Sequence, residues 1–124
     1  AIACAPNNGI VQIEYPVYDQ TIQLSSPLVI DKNITINGFF NQKISLNTSV
    51  GTGAIFSIAP NTSVTINGLN ILCNQGGTDG RCIINEGQLV LDNITMFDPT
   101  NNGNGSIINN DGQIIIKNNV VVKK

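Results

Sequence analysis

The sequence predicts an all-β fold, a right-handed parallel β-helix (β-solenoid) of about four to five rungs with three strands per rung. Three observations predict it. Four segments align without gaps: Ile34-Thr35-Ile36-Asn37-Gly38, Val64-Thr65-Ile66-Asn67-Gly68, Leu89-Val90-Leu91-Asp92-Asn93 and Ile114-Ile115-Ile116-Lys117-Asn118. Their starts lie 30, 25 and 25 residues apart, a period typical of stacked repeats. Short apolar–polar alternations fill each unit, and helical periodicity is absent. The length of 124 residues fits a single domain, with residues 1–24 as an amino-terminal rung or cap and 25–124 as the repeats.

Each aligned strand carries aliphatic residues at its first and third positions, which point to one face of a strand. Stacking superposes Ile34, Val64, Leu89 and Ile114 in one interior column, and Ile36, Ile66, Leu91 and Ile116 in the next. Two residues further on stand Gly38, Gly68, Asn93 and Asn118. Gly and Asn best tolerate a left-handed backbone, so a sharp corner is expected there in every rung. The strands preceding the aligned ones are Leu28-Val29-Ile30, Ile55-Phe56-Ser57-Ile58, Cys82-Ile83-Ile84 and Ser106-Ile107-Ile108. Those following the corner are Ile44-Ser45-Leu46, Leu69-Asn70-Ile71-Leu72, Ile94-Thr95-Met96-Phe97 and Val120-Val121-Val122. Ahead of them, Ile10-Val11-Gln12-Ile13 and Thr21-Ile22-Gln23-Leu24 are also strand-like. Asn makes up 19 of the 124 residues and concentrates at turns, where stacked side-chain amides can form ladders.

Composition narrows the function. Net charge is −2, and charged residues form 11% of the chain with no basic patch, so the electrostatic footprint of nucleic-acid binding is missing. No apolar run reaches the ~20 residues that span a bilayer, so no membrane span is expected. Ala1-Ile2-Ala3-Cys4 reads as the start of a mature, secreted chain whose signal has been removed. Of three cysteines, Cys73 and Cys82 bracket a polar loop and are the disulfide candidate; Cys4 pairs with either, stays free or joins another molecule. Scattered cysteines without histidine provide no metal ligand set, and no cofactor is implied.

The run from Val17 to Gly38, with Gln20-Thr21-Ile22-Gln23-Leu24, Ser26-Pro27-Leu28-Val29-Ile30 and Ile34-Thr35-Ile36-Asn37-Gly38, resembles the opening of secreted bacterial cell-surface proteins with a right-handed parallel β-helix. Ile55-Phe56-Ser57-Ile58 followed by Val64-Thr65-Ile66-Asn67-Gly68-Leu69-Asn70-Ile71 resembles their next rung. The resemblance implies a pectin-lyase-like fold of the non-enzymatic surface or adhesin type, secreted or at the cell surface.

Polysaccharide lyases and hydrolases share that fold class, but their chemistry needs clustered acids with a metal or base, or paired carboxylates. Stacking brings only Asp31, Glu86 and Asp111 to one corner, with Asn61 between them. The chain has no His and one Arg, Arg81, so no catalytic residue is assigned and an enzyme ranks last. Two other readings precede it. Inserts after the third strand gather on one edge, and Asn74, Gln75, Thr78, Asp79, Asn101, Asn102 and Asn104 are the loop-edge candidates for a monomeric adhesin or glycan-binding module. The favoured reading starts from the last strands. Ile114, Ile115, Ile116, Val120, Val121 and Val122 form an uncapped assembly edge. A structural subunit stacking end to end on itself into a surface fibre or filament is expected, in preference to a piece cut from a longer β-helix.

Overall fold

The computed structural model describes residues 5–12, 21–24, 27–46, 54–73, 82–97 and 107–123. Among the described residues the chain is all-β, with strands β1 (Gly9–Gln12), β2 (Thr21–Leu24), β3 (Leu28–Ile30), β4 (Ile34–Leu46), β5 (Phe56–Ile58) and β6 (Ser63–Leu72). These are followed by β7 (Ile83–Asn85), β8 (Gln88–Asp92), β9 (Thr95–Phe97), β10 (Ile108–Asn110), β11 (Gln113–Ile116) and β12 (Val121–Lys123). One sheet runs in the order β1-β4-β6-β8-β11; β2 pairs with β4, and β9 joins β6 to β12. A second sheet runs β3-β5-β7-β10. Every pairing is parallel.

Register follows the sequence repeat. Ile34 pairs with Val64, Val64 with Leu89 and Leu89 with Ile114. Two residues along, Ile36, Ile66, Leu91 and Ile116 are likewise in line. Because strand side chains alternate, both columns point inward. Ile34, Ile36, Val64, Ile66, Leu89 and Leu91 are all buried. Ile30, Ile58 and Ile83 from the second sheet and Ile71 and Met96 from the third segment of each repeat close the core around Phe56. Each of these side chains, once buried, contributes about 1.5–3 kcal/mol of transfer free energy.

An additional repeat precedes the four aligned ones. Gly9 pairs with Ile34 and Val11 with Ile36, 25 residues apart. The strand-like run expected at Ile10–Ile13 therefore starts one residue earlier and extends both inward columns, with glycine at the first position. The outward row between those columns runs Ile10, Thr35, Thr65, Val90, Ile115.

The expected corner holds at two of its four positions. Gly68 (φ 73°) and Asn93 (φ 56°) adopt left-handed backbone. In the last repeat Asn119 (φ 51°), not Asn118, takes that conformation. One extra residue has entered the turn, so β12 pairs with β9 at an offset of 26 while β11 keeps 25 against β8. Gly38 is not among the positive-φ residues; it lies inside β4, where the register slips between Asn37 and Gln42. That bulge absorbs three residues, since Ile34 pairs with Val64 across 30 positions but Ile44 with Ile71 across 27.

Glycine serves a second purpose at the turn between the two sheets. A Cβ on Gly87 would lie 2.3 Å from the Thr62 carbonyl oxygen, and one on Gly112 would lie 2.0 Å from that of Gly87. Successive repeats approach here backbone to backbone, closer than any side chain permits.

Candidate functional site: the last repeat and its strand edge

β10, β11 and β12 make up the last repeat. Their backbone is docked on the preceding one: the N–H groups of Asp111, Gln113, Lys117 and Val121 donate to the carbonyls of Asn85, Gly87, Leu91 and Ile94. In the opposite sense, the N–H groups of Cys82 and Asn93 donate to the carbonyls of Ile107 and Asn118. Parallel pairing alternates in this way along every strand, so the alternate groups of β10, β11 and β12 face away from the molecule.

The side chains show the same asymmetry. Leu91 is fully buried, whereas Ile116, next in its column, is 60% exposed. Met96 is 1% exposed and its partner Val122 48%. Ile115 and Val121 are also exposed, while Ile114 and Val120 are half-buried against the core. Of the six residues of the expected assembly edge, Ile116 and Val122 continue inward columns, whereas Ile115 continues the outward row. The Lys123 ammonium lies 5.7 Å from the Phe97 ring centroid.

The attachment of this repeat rests on a buried amide. Asn85 is fully buried. Its Nδ2 donates to Asn110 Oδ1 (2.8 Å) and to the Gln113 carbonyl (3.0 Å), and its Oδ1 accepts the Gly87 N–H (3.1 Å). One side chain therefore fixes the turn of its own repeat and both flanks of the next. The repeated pattern Asn-acid-Gly-Gln, at Asn85–Gln88 and Asn110–Gln113, is the sequence signal for it. Amide laddering between identical residues occurs here, at Asn85 and Asn110. Elsewhere the polar column is mixed: Asn7 Oδ1 accepts the Asn33 N–H, Asn33 Oδ1 accepts the Ser63 N–H, and Ser63 Oγ donates to Gln88 Oε1.

That mixed column borders a shallow groove of about 230 Å³ on the outward face of the larger sheet, lined by Asn8, Asn33, Ser63, Gln88 and Gln113 beside the Thr35–Ile115 row. The acidic column differs from expectation. Ile30 pairs with Ile58 and Ile58 with Asn85, so the residue between Asp31 and Glu86 is Ala59, and Asn61 sits in the adjoining turn. Among the described residues, no three of His, Cys, Asp and Glu gather to hold a metal ion.

Cys73 and Cys82 form a disulfide with Cα atoms 4.5 Å apart, and both are buried. The loop-edge candidates Asn74, Gln75, Thr78, Asp79, Asn101, Asn102 and Asn104 lie outside the described residues, as does Cys4. No helix among the described residues is long and apolar enough to cross a membrane. The chain matches no protein-family model, no curated protein and no solved structure.

Proposed function

We propose that this chain is a right-handed parallel β-helix that acts as a non-enzymatic structural subunit outside the cell. Its end repeats pair with those of other copies, and the molecule builds a fibre or filament at a cell surface. The observation that carries this reading is the contrast within single columns, buried Leu91 and Met96 against exposed Ile116 and Val122. The last repeat has the composition of an interior one, and a further parallel repeat laid on it would bury it. Parallel strands joined by crossovers favour the right hand in about 98% of cases. The Cys73–Cys82 bridge supports an oxidising compartment, which fits secretion. The absence of His from the sequence, and the interruption of the acidic column by Ala59, favour structure over catalysis.

Negative-stain electron microscopy with light scattering on the 124-residue polypeptide tests the reading. Filaments a few nanometres wide are expected; a monodisperse monomer across the accessible concentration range would overturn it. A second reading, a monomeric glycan-binding module, draws on the groove beside Asn33, Ser63 and Gln88. It predicts a monomer that is retained on polysaccharide.

A further inference from the structure

Among the described residues, most of the exposed large apolar side chains lie on the first and last repeats. Ile10, Ile115, Ile116, Val121 and Val122 belong to β1, β11 and β12; Val29 is the exception. The outward row has an isoleucine at each end, Ile10 at 65% and Ile115 at 56% exposure, and Thr or Val between them. In the inward column, Val11 stands at the opening position and Ile116 at the closing one.

Strand direction sets the polarity of a junction. Placing β1 of one copy on β11 of another continues the parallel order β1-β4-β6-β8-β11 without a break, whereas joining two β11 edges through a two-fold axis makes the pair antiparallel.

We infer that the junction between copies is head to tail in one defined register, with β1 of the second copy paired to β11 of the first. Ile115 meets Ile10 on the outward row, Ile116 meets Val11 in the inward column, and Ile114 meets Gly9. Beside it, Val121 of β12 meets Thr21 of β2, the pairing that Thr95 makes with Val121 one repeat earlier. The inference rests on the self-stacking reading above and specifies its partner surface and register.

The test mixes two variants, each carrying Cys4→Ser to remove the third cysteine. One carries Ile10→Cys and the other Ile115→Cys. Directly opposed residues of adjacent parallel strands lie about 4.8 Å apart, a Cα separation that a disulfide spans. Under mild oxidation the mixture should yield a covalent heterodimer whose bridging peptide joins positions 10 and 115, at least roughly tenfold above either variant alone, because the junction raises the local concentration of the pair. A homodimer formed by the Ile115→Cys variant alone, in similar yield, would overturn the head-to-tail polarity. Filaments that form without the 10–115 bridge would overturn the register while leaving self-stacking intact. Monomers under all conditions would remove both.

Discussion

Asn85 offers the sharpest test of how one repeat is held to the next. Replacement by Ala removes three hydrogen bonds, to Asn110, Gln113 and Gly87, each worth about 1 kcal/mol net. It also leaves the buried Gly87 N–H without its acceptor, a further penalty of about 1 kcal/mol. The expected loss is about 4 kcal/mol. With a urea dependence of about 1.5 kcal/mol per molar, the unfolding midpoint falls by about 2–3 M. Asn85→Asp separates the donor from the acceptor function. An ionised carboxylate still accepts the Gly87 N–H, but it faces Asn110 Oδ1 and the Gln113 carbonyl with no proton to donate. Burial and those two oxygens raise its folded-state pKa above the unfolded value of about 3.9. The folded protein then holds the proton more tightly, so this variant is closest to wild type below pH ~4 and loses stability as pH rises through the window between the two pKa values. Urea melts between pH 3.5 and 8, read by far-ultraviolet circular dichroism and referenced to wild type, give both numbers. An Asn85→Ala loss below about 1 kcal/mol, or an Asn85→Asp loss independent of pH, would refute the assigned network.

Three further outcomes are expected. Gly87→Ala destabilises more than Gly68→Ala in thermal melts: the first sets a Cβ against the Thr62 carbonyl at 2.3 Å, while the second meets nothing nearer than 3.6 Å and incurs only the roughly 1–2 kcal/mol strain of its positive φ. Cys73→Ser with Cys82→Ser opens a link between residues nine apart and lowers stability by about 2.5 kcal/mol on the chain-entropy account, measured by urea unfolding against the oxidised wild type. Ile116→Lys with Val122→Lys places charges in two inward columns at the exposed end, and sedimentation velocity should show loss of assembly while the melting temperature stays within a few degrees.

The repeat was legible in the sequence because its inward positions keep a strict alternation of aliphatic residues from Ile34 to Ile116, and period-two patterning fixes which face of a strand is buried. The opening repeat was harder to see, since Gly9 occupies the first inward position and offers no apolar signal. The corner misread at Asn118 has a local cause: Asn118 and Asn119 are equally suited to a left-handed turn, so composition alone does not select between them. Gly38 resembles Gly68 in sequence but sits beside a bulge, and the three extra residues change what the glycine is for. Asn85 opens the polar link Asn85-Glu86-Gly87-Gln88, and asparagine in such a link signals a turn. Its burial depends on two repeats closing over it, a long-range fact that no single segment contains. The loop-edge candidates fall outside the described residues, and the groove beside Ser63 and Gln88 emerges only when polar residues from five different strands or turns are superposed.

The constant register has a consequence for how the chain reaches this state. Registered partners lie between 22 and 30 positions apart throughout, never nearer and never much farther. Among the described residues no hairpin is available to form early, and the first closure must order two repeats at once. Each later repeat then closes one loop of similar length, an entropic charge of about 3 kcal/mol that does not grow as the structure extends. The chain should therefore show a slow nucleation followed by sequential propagation, with a folding rate in the millisecond-to-second range of non-local β topologies. An oxidised Cys73–Cys82 link shortens one of those closures before folding starts, so the repeats on either side of it, β6 with β7 to β9, are the natural place for the process to begin.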